Sequence, residues 1–504
     1  MQVTDMQIVW FKRDLRVVDH SPLTMASNLG PILPVYVLEP ELWKQPDLSL
    51  RQYEFLNECI DDLAQALREH GQNLTIKVGE CIQIFSELTE KYAVDGIWAH
   101  QETWNGWTYA RDKRFRRWIK EKGIPFHELP RNGVIRRLKN RDGWSSKWLR
   151  EMGKPLVTAV GSSIIGDEES DSMPLGKVLG LTNDYCVGRQ AGGRGPALEI
   201  LNSFLSERGE GYTKEMSSPV TAFNSCSRLS PHLAFGTVSI REVHQIAKSQ
   251  SSVSKLQPRS IRGKWPSALK SFSSRLRWHS HFIQKLEDDP RIEFENMHAD
   301  YNGLRENNFN EEYFRAWAEG RTGYPMVDAC MRALSATGWI NFRMRAMLVS
   351  FASYHLWLHW REPALYLARL FTDYEPGIHY SQVQMQSGTT GINSVRIYNP
   401  IKQGIDHDPS GVFIKKWVPE LQDMELRNLH TPWLSTEKIG DYPCPVVDER
   451  TGRSLAMQKI YDVRKGPSHR ARSNHVLKQH GSRRLAKKRS LRKPKKDPIS
   501  GSLF

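Results

Sequence analysis

The sequence predicts two folded parts in succession, an α/β domain built on a parallel sheet and then an all-α domain. Three observations carry this. Short apolar runs alternate with helical periodicity through the first 130 residues; strand signals become rare after residue 197; and a polar, glycine-rich stretch lies between the two regions.

The first apolar run is Ile8-Val9-Trp10-Phe11, the second Pro31–Leu38, the third Leu74–Val78 and the fourth Gly96–Ala99. Between the second and third, Leu50, Tyr53, Leu56, Ile60, Leu63 and Leu67 recur at three- and four-residue spacing, with Gly71 as a stop. Strands separated by helices of this length pair in parallel through right-handed crossovers. Ligands of such sheets sit at the carboxyl ends of the strands, so Phe11–Arg16 and His100–Trp107 fall on the rim. The first strand is not followed by Gly-x-Gly-x-x-Gly, which argues against a dinucleotide dehydrogenase.

Gly161–Pro174 is polar and acidic, and Ala191–Pro196 is glycine-rich, as expected of a long connection. Helical patterns such as Pro325–Ser335 and Met344–Trp357 dominate the remainder. The expected division is an α/β domain at 1–135, a linker at 136–196, a helical domain at 197–463 and an unstructured basic tail at 464–504.

Of the 504 residues, 25% are charged and 39% hydrophobic, and no apolar run approaches the ~18 residues of a membrane span. The first ten residues lack the apolar core of a signal peptide, so a cytoplasmic location is expected. Six scattered cysteines without a Cys-x-x-Cys pair predict free thiols, with no metal site. The net charge of +15 is uneven: residues 464–504 hold fourteen Lys/Arg and one acid, giving +13 and leaving +2 elsewhere. Such a tail either binds phosphates or stays solvated.

Several segments carry a resemblance to a known family. They are Val9-Trp10-Phe11-Lys12-Arg13-Asp14-Leu15-Arg16, then Ser227-Arg228-Leu229-Ser230-Pro231-His232-Leu233-Ala234-Phe235-Gly236, then Gly323–Arg332 with Thr337-Gly338-Trp339. Asn399-Pro400, Gln403 and Trp417–Leu421 follow in order. Together they resemble the photolyase and cryptochrome superfamily, light-driven flavoproteins with a Rossmann-like α/β domain and an all-α FAD-binding domain. The resemblance implies FAD held by Tyr212, Cys226, Ser227, Arg228, Leu229, Ser230, Arg275, His279, Phe342, Arg345, Asp373 and Glu375. Within it, Ser227 and Ser230 supply hydroxyls ahead of a helix, which suits a pyrophosphate or a simple N-cap. Arg345 is matched to the arginine facing the flavin ring, whose reduced anionic form it stabilises by charge.

The sequence also departs from the family. Where repair members place a cavity glutamate, Arg275 stands; a cavity asparagine and methionine become Phe342 and Ala346. The tandem histidines of (6-4) photolyases fall at Asn341 and Phe342. Trp278 is retained and suits stacking on a flipped base. His379 falls opposite flavin N5, a place for proton exchange near neutral pH. Of the usual tryptophan chain for photoreduction, the proximal position is Val383 and the distal falls near Asn307, while Trp360 keeps the middle; Trp339, Trp357, Tyr354 and Tyr380 are alternatives. The glutamate of folate-binding relatives falls at Thr108, so a second, antenna chromophore stays unnamed, with Trp104 and Trp107 as stacking candidates.

The leading expectation is an FAD-dependent, light-driven DNA photolyase, acting as a monomer on UV-damaged DNA. Trp278, His379 and Trp360 are its candidate catalytic residues, and Arg275, Arg277, Trp278 and Gln403 its candidate DNA contacts. The alternative is a cryptochrome-type blue-light photoreceptor without repair activity.

Overall fold

The computed structural model describes residues 6–158, 168–182, 184, 186–307, 309–436 and 440–481. Five parallel strands, β1 (Met6–Phe11), β2 (Ile32–Leu38), β3 (Thr75–Val78), β4 (Val94–His100) and β5 (Phe126–Leu129), form one sheet in the order β3-β2-β1-β4-β5. The order reverses at β1, so the carboxyl ends of β1 and β4 open the crevice at which such sheets bind ligands. β1 and β2 are buried on both faces and read as unbroken apolar runs, as helix-covered parallel strands do. Pro34 sits inside β2 without disrupting it: pairing with β3 begins only at Val35.

The helix Leu50–Glu69 joins the two halves. The Gln52 side chain accepts from the Ser49 N–H and donates to the carbonyls of Ala368 and Phe371, at 2.7 and 2.9 Å. Arg51 donates to the carbonyl of Leu370 and pairs with Asp184. One apolar core accordingly runs from Val9 and Phe11 of β1, through Leu56 and Leu63, to Met331, Met347 and Phe371 of the helical domain. A separate core closes the other sheet face around Trp10, Phe85 and Phe115.

The expected linker is only partly a connection. Trp144–Met152 is a helix whose Trp144 and Trp148 enter the core of the helical domain. The Asp171 N–H donates to the Ile76 carbonyl and its carboxylate accepts from the Val78 N–H, so this strip covers the β3 edge. Residues 159–167, within the acidic stretch, lie outside the described residues. The basic tail also needs correction. His469–His480 is a helix, its first ring stacked on His298 at 4.4 Å and Arg472 paired with Asp300 at 2.5 Å. Residues 482–504 of that tail lie outside the described residues. The predicted Met344–Trp357 helix runs from Phe342 to Ser350 and then widens into a π-helical turn, Phe351–His355.

The loop after β1 is buried against the helical domain. Asp14 accepts from both His20 Nε2 at 2.8 Å and His100 Nδ1 at 2.6 Å, and the ring of His20 accepts from the Leu23 N–H. Asp14, His20 and His100 place three potential ligand atoms together. The spacings are those of hydrogen bonds, and both nitrogens of His20 are engaged, so the cluster is a structural clamp. Burial opposes charge on Asp14, but His20 and His100 outweigh it and hold the carboxyl well below its usual range. Burial pulls the histidines down, His100 to about 3. The unfolded chain therefore takes up protons on these rings below pH ~6.5 while the folded protein does not, and stability falls as pH drops through that value. The Asp14 carboxylate, with its depressed value, acts in the same direction at lower pH. Thermal melts from pH 8 to 4 are expected to show a falling Tm that begins below about 6.5; a flat profile down to about pH 4.5 refutes the clamp's contribution. Asp14→Ala is expected to cost about 1–3 kcal/mol for each imidazole N–H left unpaired, read by denaturant unfolding.

Candidate functional site

The motif Ser227–Gly236 forms a tight turn and a short helix, Ser230–Phe235, ending at Gly236 with φ +74°. Arg228 precedes that helix with φ +58°, an unusual conformation for a residue with a side chain. Its guanidinium lies over Trp339 at 4.2 Å and Phe223 at 4.7 Å, and Nε donates to Gln190 at 3.1 Å. Leu229 is 1% exposed and belongs to the core, so its side chain is not a polar contact and only its backbone is available to a ligand. The Ser227 hydroxyl accepts from the Leu229 N–H at 3.5 Å.

From the opposite wall comes Arg345, on the helix Phe342–Ser350. Its Nη1 and Nη2 donate to the two oxygens of Asp373 at 3.1 and 2.8 Å, its Nε donates to the Ile340 carbonyl, and its plane lies 4.0 Å from the Phe371 ring. This bidentate pair fixes the guanidinium. Tyr212 is buried against Phe204 and Phe272, next to Arg275. Arg275 itself is exposed, with Nη2 4.0 Å from Met216 Sδ. Burial pushes the Cys226 thiol up to about 12, although Arg228, Arg208, Arg275 and Arg345 all act to lower it. The Arg228 guanidinium is pulled down to about 10 by burial, with Asp373 opposing the shift.

Four guanidinium groups thus converge around one neutral thiol, and Asp373 is the carboxylate among them. A concentration of cation of this kind suits a pyrophosphate or a reduced, anionic ring. Near Met216, Asn341 Oδ1 is a buried oxygen without a protein partner, while its amide nitrogen donates to the Met216 and Ser217 carbonyls; Thr372 Oγ1, Glu375 Oε1 and Gln403 Oε1 are buried and unpartnered too. Burial raises the Glu375 carboxyl to about 7, with Arg13 and Arg131 opposing. On these observations the residues fit FAD.

Other sequence-derived candidates are placed differently. His279 faces the α/β domain, where it lines a small cavity with Arg16, Arg131 and Gly236. Arg275 and Arg277 do not share a rim: two residues along a helix turn the side chain by about 200°, and Arg277 lies by His244 while Arg275 lies by Tyr212. Trp278 is 38% exposed, stacked on Phe282 at 5.5 Å, and Phe342 is 50% exposed. The His379 ring packs between Phe371, Tyr374 and Tyr380, with Nε2 2.9 Å from the Ala364 carbonyl. Burial lowers it to about 4, which favours the neutral ring near pH 7. Trp360 is wholly buried and donates to Asn296 at 2.7 Å.

The expected rim of the sheet does hold a small cavity, lined by Lys12, Arg13, Glu39, Glu102, Trp104 and Arg111 among others. Arg13 covers Trp104 at 4.0 Å, and Arg111 pairs with Glu39, Glu102 and Asp112 at 2.5–2.9 Å. Sequence reasoning missed this ion network and Arg131; the Arg111-Asp112 dipeptide on the Gly106–Glu121 helix was its one visible sign.

Residues 7–141 match the family "DNA photolyase", and residues 272–462 match "FAD binding domain of DNA photolyase". A deoxyribodipyrimidine photo-lyase of Vibrio cholerae is 27% identical over 92% of this chain and 100% of its own length. Cryptochrome-2 of Arabidopsis thaliana is 27% identical over 92% of this chain and 80% of its own. Among solved structures, a class III photolyase from Agrobacterium tumefaciens superposes with a TM-score of 0.80 at 24% identity, covering 92% of this chain and 98% of that one. An archaeal photolyase from Sulfolobus tokodaii with two FAD molecules gives 0.74 at 26% identity, covering 90% and 99%. The motifs, the fold and these matches agree: the chain belongs to the photolyase/cryptochrome superfamily.

Proposed function

We propose that this protein is an FAD-dependent, light-driven DNA photolyase acting on UV pyrimidine photoproducts. The observation that carries the proposal is the placement of an exposed tryptophan, Trp278, one helical turn from Arg275, which borders the cationic site. An aromatic face beside a phosphate-binding cation is what a flipped, unstacked base requires. When bound, FAD supplies the light-excited electron that splits the photoproduct.

The chain's own residues hold and tune that cofactor. Ser227, Arg228 and Ser230 bind its pyrophosphate, Tyr212 closes the adenine side, and Arg345, fixed by Asp373, supplies positive charge at the ring. His379, neutral and tethered to Ala364, gives the ring's edge a fixed polar neighbour. Arg275 positions DNA phosphate, and Gln403 offers an unpaired amide oxygen. The rim cavity beside Trp104 is the seat we assign to a second, antenna chromophore. The basic segment 482–504, with nine Lys/Arg and one acid, adds sequence-independent DNA affinity.

One observation favours photoreception instead. Arg275 and Phe342 stand where the repair pattern has a glutamate and an asparagine, and both are exposed. The two readings separate in one experiment. The reduced holoprotein is illuminated with blue light in the presence of a thymine-dimer oligonucleotide, and separately of a (6-4) oligonucleotide. Restoration of one is expected; bound, photoreducible FAD with neither restored refutes repair.

Two further outcomes test the assigned residues. Arg345→Leu leaves Asp373 buried without its cation, and FAD retained through purification is expected to fall at least tenfold, read from flavin absorbance against protein. Removing 482–504 is expected to make the slope of log Kobs against log salt less negative by about 0.9 for each phosphate that the segment neutralises; an unchanged slope excludes the tail from DNA binding.

A further inference from the structure

Arg305 is a buried cation that the function above does not use. It is 3% exposed, yet among the described residues no carboxylate pairs with its guanidinium. Nη1 donates to the Ser387 carbonyl at 3.1 Å, while Nε and Nη2 are buried and without a partner. The neighbouring acid, Glu306, accepts from the Arg305 backbone N–H at 2.9 Å. The guanidinium lies 4.4 Å from the Trp357 ring and 5.5 Å from the Tyr354 ring. The Tyr354 hydroxyl is also buried without a partner, on a residue 1% exposed. Burial raises this phenol to about 12, and the charges of Arg305 and Arg464 oppose the rise, so both guanidiniums are its neighbours. Arg464 donates to the Asn393 carbonyl at 2.7 Å and the Tyr301 hydroxyl at 3.4 Å, and Lys459 lies 4.5 Å over Trp357.

A buried charge without a counter-charge is among the costliest arrangements in a fold. Ring faces recover part of that cost. They do not accept the in-plane N–H bonds of Nε and Nη2, which form one edge of the planar fork. That edge takes two oxygens of a carboxylate or phosphate side by side. Water can accept such a bond but brings no charge. Trp357 has φ +54°, uncommon for a bulky residue, and backbone held this way clusters at ligand sites.

We propose that Arg305 and Tyr354 form a binding site for one small oxyanion, a phosphate or a carboxylate. Two of its oxygens accept from Nε and Nη2 of Arg305, the Tyr354 hydroxyl donates to it, and Arg464 and Lys459 add positive charge nearby. Tyr354 belongs to the π-helical turn Phe351–His355, and Lys459 and Arg464 to the helix Glu449–Arg464, whose Ala456 and Ile460 pack on Tyr301 and Tyr354. A bound oxyanion therefore ties that helix to the body of the helical domain. None of these residues is assigned to the cofactor, so the site stands apart from the FAD reading.

The test uses the full chain with FAD present, which fills the pyrophosphate positions. Inorganic phosphate and acetate are titrated separately, with chloride at matched ionic strength as control, and read by calorimetry and thermal melts. Saturable one-site binding of phosphate or acetate is expected, with a Tm that rises with concentration above Kd; the stronger of the two tells which oxyanion the site prefers. Arg305→Met is expected to weaken binding at least about tenfold and to abolish the Tm rise. Tyr354→Phe, which removes one neutral hydrogen bond, is expected to weaken it about three- to tenfold. Circular dichroism of both variants is expected to match the parent; if Arg305→Met does not fold, Tyr354→Phe decides alone. Heats and Tm rises unchanged in the variants place the oxyanion elsewhere and overturn the site. A parent protein that binds neither oxyanion, or responds equally to chloride, overturns it as well and leaves water as the occupant.

Discussion

The arrangement of both domains depends on one close backbone approach. Gly236 ends the helix Ser230–Phe235 in the left-handed conformation, and a Cβ there would lie 2.3 Å from the Arg13 carbonyl oxygen. Only glycine permits both the turn and the approach. The Leu15 N–H can then donate to the Phe235 carbonyl, and Arg16 to the Gly236 carbonyl at 2.9 Å. The loop after β1 is thereby pinned to the segment that carries Arg228. A strand end of the α/β domain and the wall of the cationic site become one rigid unit, and the rim cavity lies directly behind the turn, sharing Arg13 and Phe235 with it.

Charge follows from that junction. Groups drawn into it cannot keep their hydration, so each must be paired or neutral. Arg241 pairs with Asp19 at 2.9 Å, Arg111 with three carboxylates, and Asp14 takes two imidazoles. Arg13 has no carboxylate in hydrogen-bond contact among the described residues; it lies between the Trp104 and Phe235 rings, and burial lowers it to about 10. Rings on either side of a guanidinium recover part of the missing solvation through their quadrupoles. Directional partners of this kind, those of Arg111, Asp14 and Asp19 among them, make a junction full of polar groups rigid.

Legibility in the sequence follows from where each signal resides. Strands β1 to β4 and the helix Leu50–Glu69 were legible because their apolar spacing is local. β5, Phe126–Leu129, was not: it is a four-residue edge strand with His127 and Glu128 in it, and only pairing with β4 defines it. The Trp144–Met152 and His469–His480 helices were hidden for a related reason. Both are rich in polar or basic residues, and both are held by distant partners, Gln284 for Trp144 and His298 for His469. Within the site, the phosphate motif and the Arg345–Asp373 pair were visible as motif positions. The separation of Arg275 from Arg277 also follows from helical period alone. The burial that neutralises His379 does not, since it comes from Phe371, Tyr374 and the Ala364 carbonyl, brought together by packing.

The residues proposed to face the cofactor and those proposed to face a lesion differ in how firmly the fold constrains them. Arg345 and Asp373 are tied into a pair whose carboxylate is 3% exposed, and removing one partner of a buried pair costs about 3–5 kcal/mol. That is a large fraction of a typical folding free energy, so such positions resist substitution whatever the reaction. Arg275, Trp278 and Phe342 are exposed, and changes at surface positions are usually within about 0.5 kcal/mol of neutral. Folding therefore places almost no limit on the residues that would meet a lesion. A lineage can exchange its substrate-facing side chains, or give them up, while its flavin cradle stays intact. Buried, paired residues beside exposed ones are what that difference in constraint permits, and relatives named for repair and for photoreception both match this chain at 27% identity.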